Sequence, residues 1–483
     1  MIDIKVKKHD NFSVEFKFGF VVDNEADVNS FAVNTWLFVP NSMGISPEIY
    51  GKELFYRDIK SNVRLITPVY SLHELALDSS LPYIFLKESV SDVENGGPCN
   101  DFEYHLKMYA AIIKSAVRNE TIKIMFCKDT DAAKANVCEC VADIESVLCR
   151  FRGLSAGLNY MPERERRCFL AVDEYINYIL QRYLLRIVKL YDSLDNSELY
   201  ASRQKIFALV RSIRDYSASR GYGLIDDNPV HNRDLVYYRG LLKKYIESDL
   251  YIGLSKRRDG VAVEQLCYSI AAGVAMIFAT AVGWIFQVKF GNITFPLFIV
   301  LVISYMLKDR IKDLMRFYFA HRLGNKYFDK RASINIGNNK VGEIKEAVDF
   351  ISGSKIDSFV AKIREGMSFM DNESKVLEEK VLLYRKLIVI EKNDFTCGNY
   401  YPFKGINEIM RLHIGRFMQK IDNPEVFIDS IDDTGHVSAI AVQRIYYIHI
   451  VMQLRHIDRV ELRHFRVGFN RNGIVRVEEA SLG

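Results

Sequence analysis

Apolar and polar residues first alternate along this chain, then cycle at helical spacing, then give way to an unbroken apolar stretch, and each change of pattern marks a change of element. At the start, Ile2, Ile4 and Val6 alternate with charged residues, Phe12 to Val22 is rich in Phe and Val, and Phe31 to Pro40 continues similarly. Period-two alternation predicts strands with one buried face. After Pro47, Leu54, Ile59, Val63 and Ile66 recur at helix-like spacing, and the loop Glu94-Asn95-Gly96-Gly97-Pro98 closes a sheet-containing module over 1–97.

From Asp101 the period becomes helical. Phe102, Leu106, Tyr109, Ile113 and Ala116 share one face, with Lys107, Lys114 and Arg118 on the other. The longest regular stripe is Phe169, Val172, Ile176, Ile179, Tyr183, Ile187 and Leu190, the seam of a helix packed along a partner for much of its length. Ile206, Val210, Ile213 and Tyr216 form the partner stripe. Asn228-Pro229 then breaks the chain before a third helix with Leu235, Tyr238, Leu242 and Tyr245. The segment 98–260 is expected to be a helical bundle.

Leu266 to Phe286 is 21 residues without a charge, roughly 31 Å of helix, close to the thickness of a hydrocarbon core. Phe290 to Leu307 adds 18 more, although Gly291, Asn292 and Pro296 place its first turn in the connection. The expectation is a transmembrane hairpin over 261–308. The cations Lys256, Arg257 and Arg258 before it and Lys308, Arg310 and Lys312 after it, against Lys289 alone in the turn, orient both flanks toward the cytosol of a cell inner membrane. Ala271, Ala275, Ala279 and Gly283 recur every four residues, a small-residue ridge that admits a close neighbour: the second helix of the hairpin or a second copy of the chain. Neither span carries Asp, Glu, Lys, Arg or His, which leaves proton-relay and voltage-sensing machinery nothing to work with.

Past Leu307, Ile311, Leu314, Met315, Tyr318 and Phe319 form the apolar face of a juxtamembrane amphipathic helix over 309–333. The turn-rich Ile334 to Lys340 opens a C-terminal α+β domain, 334–483, in which Val341 to Met370 and Ile406 to Ile421 are expected to be helical. Leu382 to Ile390 and Ala439 to Leu454 are expected strands, and Asn472-Gly473 turns a terminal hairpin between Arg463–Phe469 and Ile474–Val477. The fold class that follows is a multidomain α+β membrane protein, with a two-helix transmembrane hairpin between a sheet-plus-bundle region and an α+β region.

Composition narrows the function classes. The 483 residues carry 65 Lys and Arg against 61 Asp and Glu, a formal net charge of +4, so no global basic excess points to nucleic acid. Eight scattered cysteines, one of them Cys267 inside the apolar stretch, suit reduced thiols rather than a disulfide framework. Cys138-Glu139-Cys140 has one residue between its thiols where zinc pairs have two to four. Residues 1–10 have no apolar run for a signal-peptide core, so the N-terminus is expected in the cytosol.

Asp173-Glu174 and the run Arg164, Arg166, Arg167 read as solvated surface, and five histidines, His413, His436, His449, His456 and His464, read as ordinary sheet residues. There is no phosphate-binding loop, dinucleotide fingerprint, nucleophile elbow or kinase signature. No cofactor is expected. The leading expectation is a bilayer-anchored protein whose cytosolic domains bind or sense a partner or ligand, with self-association through the first apolar helix. The alternatives are hairpins that assemble a pore and a membrane-bound enzyme with a composite site.

Overall fold

Strands from the two ends of the chain meet in one sheet. The structure, a computed structural model, describes residues 2–23, 25–94, 100–155, 161–194, 199–290, 295–324, 328–336, 339–365, 379–391, 400–431, 433 and 435–480. The chain divides into a sheet unit, residues 1–63, 253–397 and 407–483, and a helical unit, residues 64–252 and 398–406. These units cut the chain differently from boundaries at 97, 260 and 333; the expected loop at 95–98 and linker at Gly337 lie outside the described residues.

The sheet unit carries β1 (Ile2–Lys8), β2 (Ser13–Val21), β3 (Val28–Val39), α1 (Lys52–Asp58) and β4 (Ile59–Leu65). The helical unit follows with α2 (Leu72–Leu75), α3 (Leu81–Glu94), α4 (Asn100–Met125), α5 (Thr130–Gly153), α6 (Glu163–Leu194), α7 (Tyr200–Ser219), α8 (Pro229–Ile246) and the two-residue β5 (Tyr251–Ile252). Back in the sheet unit come β6 (Ser255–Arg258), α9 (Val261–Phe290), α10 (Phe295–Gly324), β7 (Lys330–Ile336), β8 (Asn339–Ile351), α11 (Ser358–Glu365) and β9 (Lys380–Glu391). They are followed by β10 (Gly405–His413), β11 (Glu425–Ile431), β12 (Val437–Gln443), β13 (Tyr446–His456), β14 (Arg459–Asn470) and β15 (Gly473–Ala480).

The larger sheet is antiparallel, in the order β15-β14-β13-β3-β9-β8-β7-β6. β3 is central, with Trp36 opposite Val451 on one side and Leu383 on the other. Its apolar face is closed by α11, where Phe359 meets Trp36 edge-on at 6.5 Å and Val360 joins Phe38, Val381 and Val451 in the core. The expected terminal hairpin is present as β14–β15, and Gly473 takes φ +133°, the left-handed half of backbone space that favours glycine. A second sheet places β1, β2, β10 and β4 side by side.

Three stretches expected to be helical are strands in part. Leu54–Ile66 is helical only through α1 and becomes β4 at Ile59. The stretch 341–370 becomes helical only at α11, Ser358–Glu365, with 366–370 outside the described residues. Asn339–Ile351 is β8, and most of Ile406–Ile421 is β10 followed by a short 3-10 turn at Gly415–Met418. The reason is visible in burial: Ile344, Glu346 and Val348 alternate inward in β8, as do Ile406, Glu408, Met410 and Leu412 in β10. In each strand a glutamate occupies a core-facing position and interrupts the apolar alternation.

Those two glutamates are held by one lysine. Lys386 on β9 stands opposite Glu346 on β8, with Nζ to Oε1 at 3.0 Å, and also bonds Glu408 on β10. Lys256 of β6 adds a second cation to Glu346 at 3.0 Å, and the Ser61 hydroxyl donates to Glu408. Burial alone would push the Glu346 carboxyl up; the Lys386 and Lys256 ammonium groups overcome it and hold that carboxyl down at about 2. His449 and His464 stand on neighbouring strands with Nδ1 and Nε2 3.2 Å apart, and burial, reinforced by the Arg364 charge, drives them down to about 3 and about 4. Both rings are therefore neutral at pH 7, and one ring N–H donates to the other.

In the helical unit the expected stripe is the inner face of α6. Phe169, Val172, Ile176, Ile179, Tyr183 and Ile187 are all buried, as are Ile206, Val210 and Ile213 of α7. α8 starts where Asn228 caps the backbone N–H of Val230 at 3.0 Å and Pro229 fills a position with no N–H to satisfy. On α4 the apolar face is buried as expected. Lys107 is buried too, because Glu103 at 2.7 Å and the Ser248 hydroxyl at 3.1 Å hold its ammonium.

Candidate functional site

Two features of this chain stand out: an exposed apolar helix pair and a basic cleft. The first is the pair α9 and α10, inserted between the adjacent strands β6 and β7, so that the pair springs from the edge of the larger sheet. The helices run antiparallel: the Ser304 hydroxyl donates to the Ala279 carbonyl at 3.3 Å, and a Cβ on Gly283 would lie 3.4 Å from Leu301. Ala271 and Ala275 are buried on the same face. The small-residue ridge thus lines the seam of the pair, where short side chains let two backbones approach.

Away from that seam the pair is apolar and open. Met276, Ile277, Trp284, Ile285 and Val288 on α9 are half exposed or more, and so are Phe295, Phe298, Ile303, Tyr305 and Met306 on α10. Among the described residues one helix, Val261–Lys289, is long and apolar enough to cross a membrane, and only 11% of its most apolar stretch is buried. α10 changes character at Lys308, beyond which Asp309, Arg310 and Lys312 follow. The first residues of the expected second crossing, 291–294, lie outside the described ones. The expected amphipathic helix after Leu307 continues α10 without a break to Gly324.

The cations flanking the pair have distinct partners. Lys256 reaches into the buried cluster at Glu346, and Arg258 pairs with Glu264 at 2.8 Å across the start of α9. Arg257 is exposed on the outer strand β6, and Arg310 on α10. Lys308 sits 3.8 Å from the centre of the Tyr305 ring, and Lys312 pairs with Asp309 at 3.3 Å.

The second feature is a cleft of about 720 Å³ in the helical unit, lined by α6, α7, the segment Leu224–Ile225 and Arg239 of α8. Burying one face of α6 leaves the other outward, and on it Arg182, Arg186 and Lys189 follow at spacings of four and three. α7 packs alongside through Ile206, Val210 and Ile213, which brings Phe207, Arg211 and Arg214 to the facing wall. Asp215 is the single carboxylate in the lining.

The rim is pinned from beneath. Asp173 is not solvated surface: its carboxylate is buried and accepts the Tyr216 hydroxyl at 3.0 Å and the Tyr222 hydroxyl at 2.8 Å. Burial and the Asp173 charge together push the Tyr222 phenol well above its ordinary value. Glu174 accepts the Tyr238 hydroxyl at 3.0 Å and the Gly223 N–H at 3.3 Å, and Arg239 donates to the Gly223 carbonyl at 3.0 Å while lying 4.4 Å from the Tyr178 ring centre. The segment before α8 is therefore tied at both of its backbone faces to α6 and α8. Arg164, by contrast, pairs at the surface with Glu103 at 3.1 Å, and Arg166 and Arg167 are exposed.

Among the described residues one group of metal-type donors is close-set: the exposed His73 and Glu139 and the buried Asp143, with His73 Nδ1 already 3.3 Å from Asp143. Cys138 is exposed and Cys140 buried, so the two thiols of that motif do not face one point. Comparison with known proteins brings no relative to this site: no family model, no curated protein and no solved structure matches the chain.

Proposed function

We propose that the chain is a two-pass integral membrane protein whose soluble part binds a ligand, with α9 and α10 crossing the bilayer and both flanks on the cytosolic side of a cell inner membrane. The observation that carries this reading is the exposure of α9. A core helix of a soluble protein is apolar because neighbours bury it, and here 11% of the most apolar stretch is buried. An apolar surface of that extent calls for a nonaqueous environment, since every exposed Ile, Val or Trp would otherwise meet water.

The bilayer supplies that environment. α10 supports it, with exposed Phe298, Ile299, Leu301, Val302 and Ile303. Charge supports the orientation, since Lys256, Arg257 and Arg258 precede the pair and Lys308, Arg310 and Lys312 follow it. The cleft in the helical unit is the binding site this reading assigns to the soluble part.

Extraction of native membranes with alkaline carbonate tests the anchoring. The protein is expected to stay with the membrane pellet and to be released by detergent. Release by carbonate alone would show a peripheral attachment and overturn the reading.

A further inference from the structure

We propose that the cleft between α6 and α7 is a binding site for a nucleotide, a soluble polyphosphate carrying a planar base. The inference deepens the ligand-binding half of the proposed function and does not depend on the membrane half.

The charge of the cleft is the first argument. Arg182, Arg186 and Lys189 line one wall and Arg211 and Arg214 the other, against the single carboxylate Asp215. Among the described residues none of these five cations makes an ion pair. Elsewhere in the unit some cations are matched, Arg203 with Asp192, Arg150 with Asp78 and Lys134 with Asp131, and others, such as Arg166, Lys243 and Lys244, are exposed without an ion pair among the described residues; the cleft differs in gathering five of them on two facing walls. Like charges one helical turn apart repel, so this arrangement works against folding and is relieved by an anion between the walls.

Shape and lining give the second. A volume of about 720 Å³ falls inside the range of about 300–1,000 Å³ typical of small-molecule sites. Guanidinium groups match phosphate oxygens in a planar fork, and of the six cations in the lining, Arg239 included, five are arginines. Between them the cleft presents apolar surface open to solvent: Phe207 is 47% exposed, Leu185 40% and Ile225 64%. A purely inorganic anion has no use for that surface. A base lying on Phe207, with its phosphates among Arg186, Lys189 and Arg211, uses both halves of the lining. The net charge of +4 does not suit a nucleic-acid polymer, which needs an extended basic face.

The test uses the full chain in detergent micelles at low ionic strength, titrated calorimetrically with ATP, GTP and inorganic tripolyphosphate. At least one nucleoside triphosphate is expected to bind. Joint substitution of the exposed Arg186→Ala and Arg211→Ala should weaken it by at least about tenfold. Phe207→Ala should weaken the nucleotide and leave tripolyphosphate unchanged, and Arg233→Ala, outside the cleft, should change neither. Binding that survives the double substitution overturns the site, and tripolyphosphate binding as tightly as the nucleotide overturns the role of the base.

A phosphate-bearing lipid headgroup shares part of this chemistry, so vesicles containing phosphatidylglycerol form a separate arm. Vesicle or tripolyphosphate binding through Arg186 and Arg211, without nucleotide binding, would leave an anion site standing and overturn the nucleotide. Binding of none of these probes would remove both the nucleotide and the ligand-binding reading of the cleft.

Discussion

Replacing Lys386 with methionine is expected to destabilise the sheet unit by about 3–5 kcal/mol, the usual cost of removing one partner from a buried charge cluster. Lys386 is buried between Glu346 and Glu408, themselves 2% and 0% exposed. Without its ammonium, Glu408 keeps only the Ser61 hydroxyl among the contacts described above, and Glu346 keeps Lys256 as its cation. The strands affected, β8, β9 and β10, span both sheets and include β9, the neighbour of the central β3, so the loss is expected throughout the sheet unit rather than at one edge. Chemical denaturation should show a lower midpoint with an unchanged slope. Replacing Lys386, Glu346 and Glu408 together by methionine, glutamine and glutamine should recover much of the loss, because no bare charge is left inside. A single Lys386→Met variant as stable as the native chain would show that the cluster is hydrated and not buried.

The same cluster sets an acid limit. The Glu346 carboxyl in the folded chain lies at about 2, below its ordinary value of 4.5. A carboxyl depressed by folding stabilises the folded state above its unfolded value, and that contribution is lost as pH falls toward the folded one. The Glu346 contribution is therefore complete above pH 4.5 and disappears between there and pH 2. A Glu346→Gln variant should show less loss of stability over that window.

The second large effect concerns α9. Placing aspartate at Ile277 and Val274 should prevent stable insertion, because one carboxylate at the centre of a crossing costs about 2.5–3.5 kcal/mol. Ile277 is 69% exposed and Val274 42%, so neither change touches the Ala271–Ala275 seam. The direction of the effect separates two environments. In lipid, the double variant should vanish from the carbonate-resistant membrane fraction and be degraded or aggregate. In water, two aspartates on an exposed apolar face would raise solubility, and a soluble, stable double variant would contradict the bilayer reading. Ile277→Leu should leave insertion as it is.

Which parts of this fold could be read from sequence depends on what faced the core. The α6 stripe from Phe169 to Ile187 is uninterrupted and apolar, and the helix lies where its period put it. In β9, Leu382, Tyr384, Ile388 and Ile390 keep the alternation visible despite Lys386 in their midst. β8 and β10 were hidden by the partners of that lysine. Glu346 and Glu408 occupy core-facing positions, so the remaining apolar residues, Val348 with Ile351 and Ile406 with Met410, fall by chance at helical spacing. One buried ion cluster thus accounts for the misreading of β8 and β10.

Long-range pairing was beyond local pattern for a different reason. β3 lies between β13 and β9, and no feature within residues 28–39 encodes which strands will flank them. The cleft is a similar case. Arg182, Arg186 and Lys189 at helical spacing, and Arg211 with Arg214, are visible in the chain as solvated faces. Only the packing of α6 against α7 turns two such faces into opposing walls. Asp173, beside Glu174 in a charged pair, gives no local sign that two tyrosines 43 and 49 residues further on will bury it.

The central claim is that α9 and α10 carry the chain across a bilayer and back, and the residues connecting them decide it. In a full-length Asn292→Cys variant, intact cells treated with a membrane-impermeant maleimide should label the introduced thiol before the inner membrane is breached, while the native cysteines Cys127, Cys138, Cys149 and Cys168 react only after it is permeabilised. Labelling of the introduced thiol only after permeabilisation, together with the native ones, would contradict the two-pass reading.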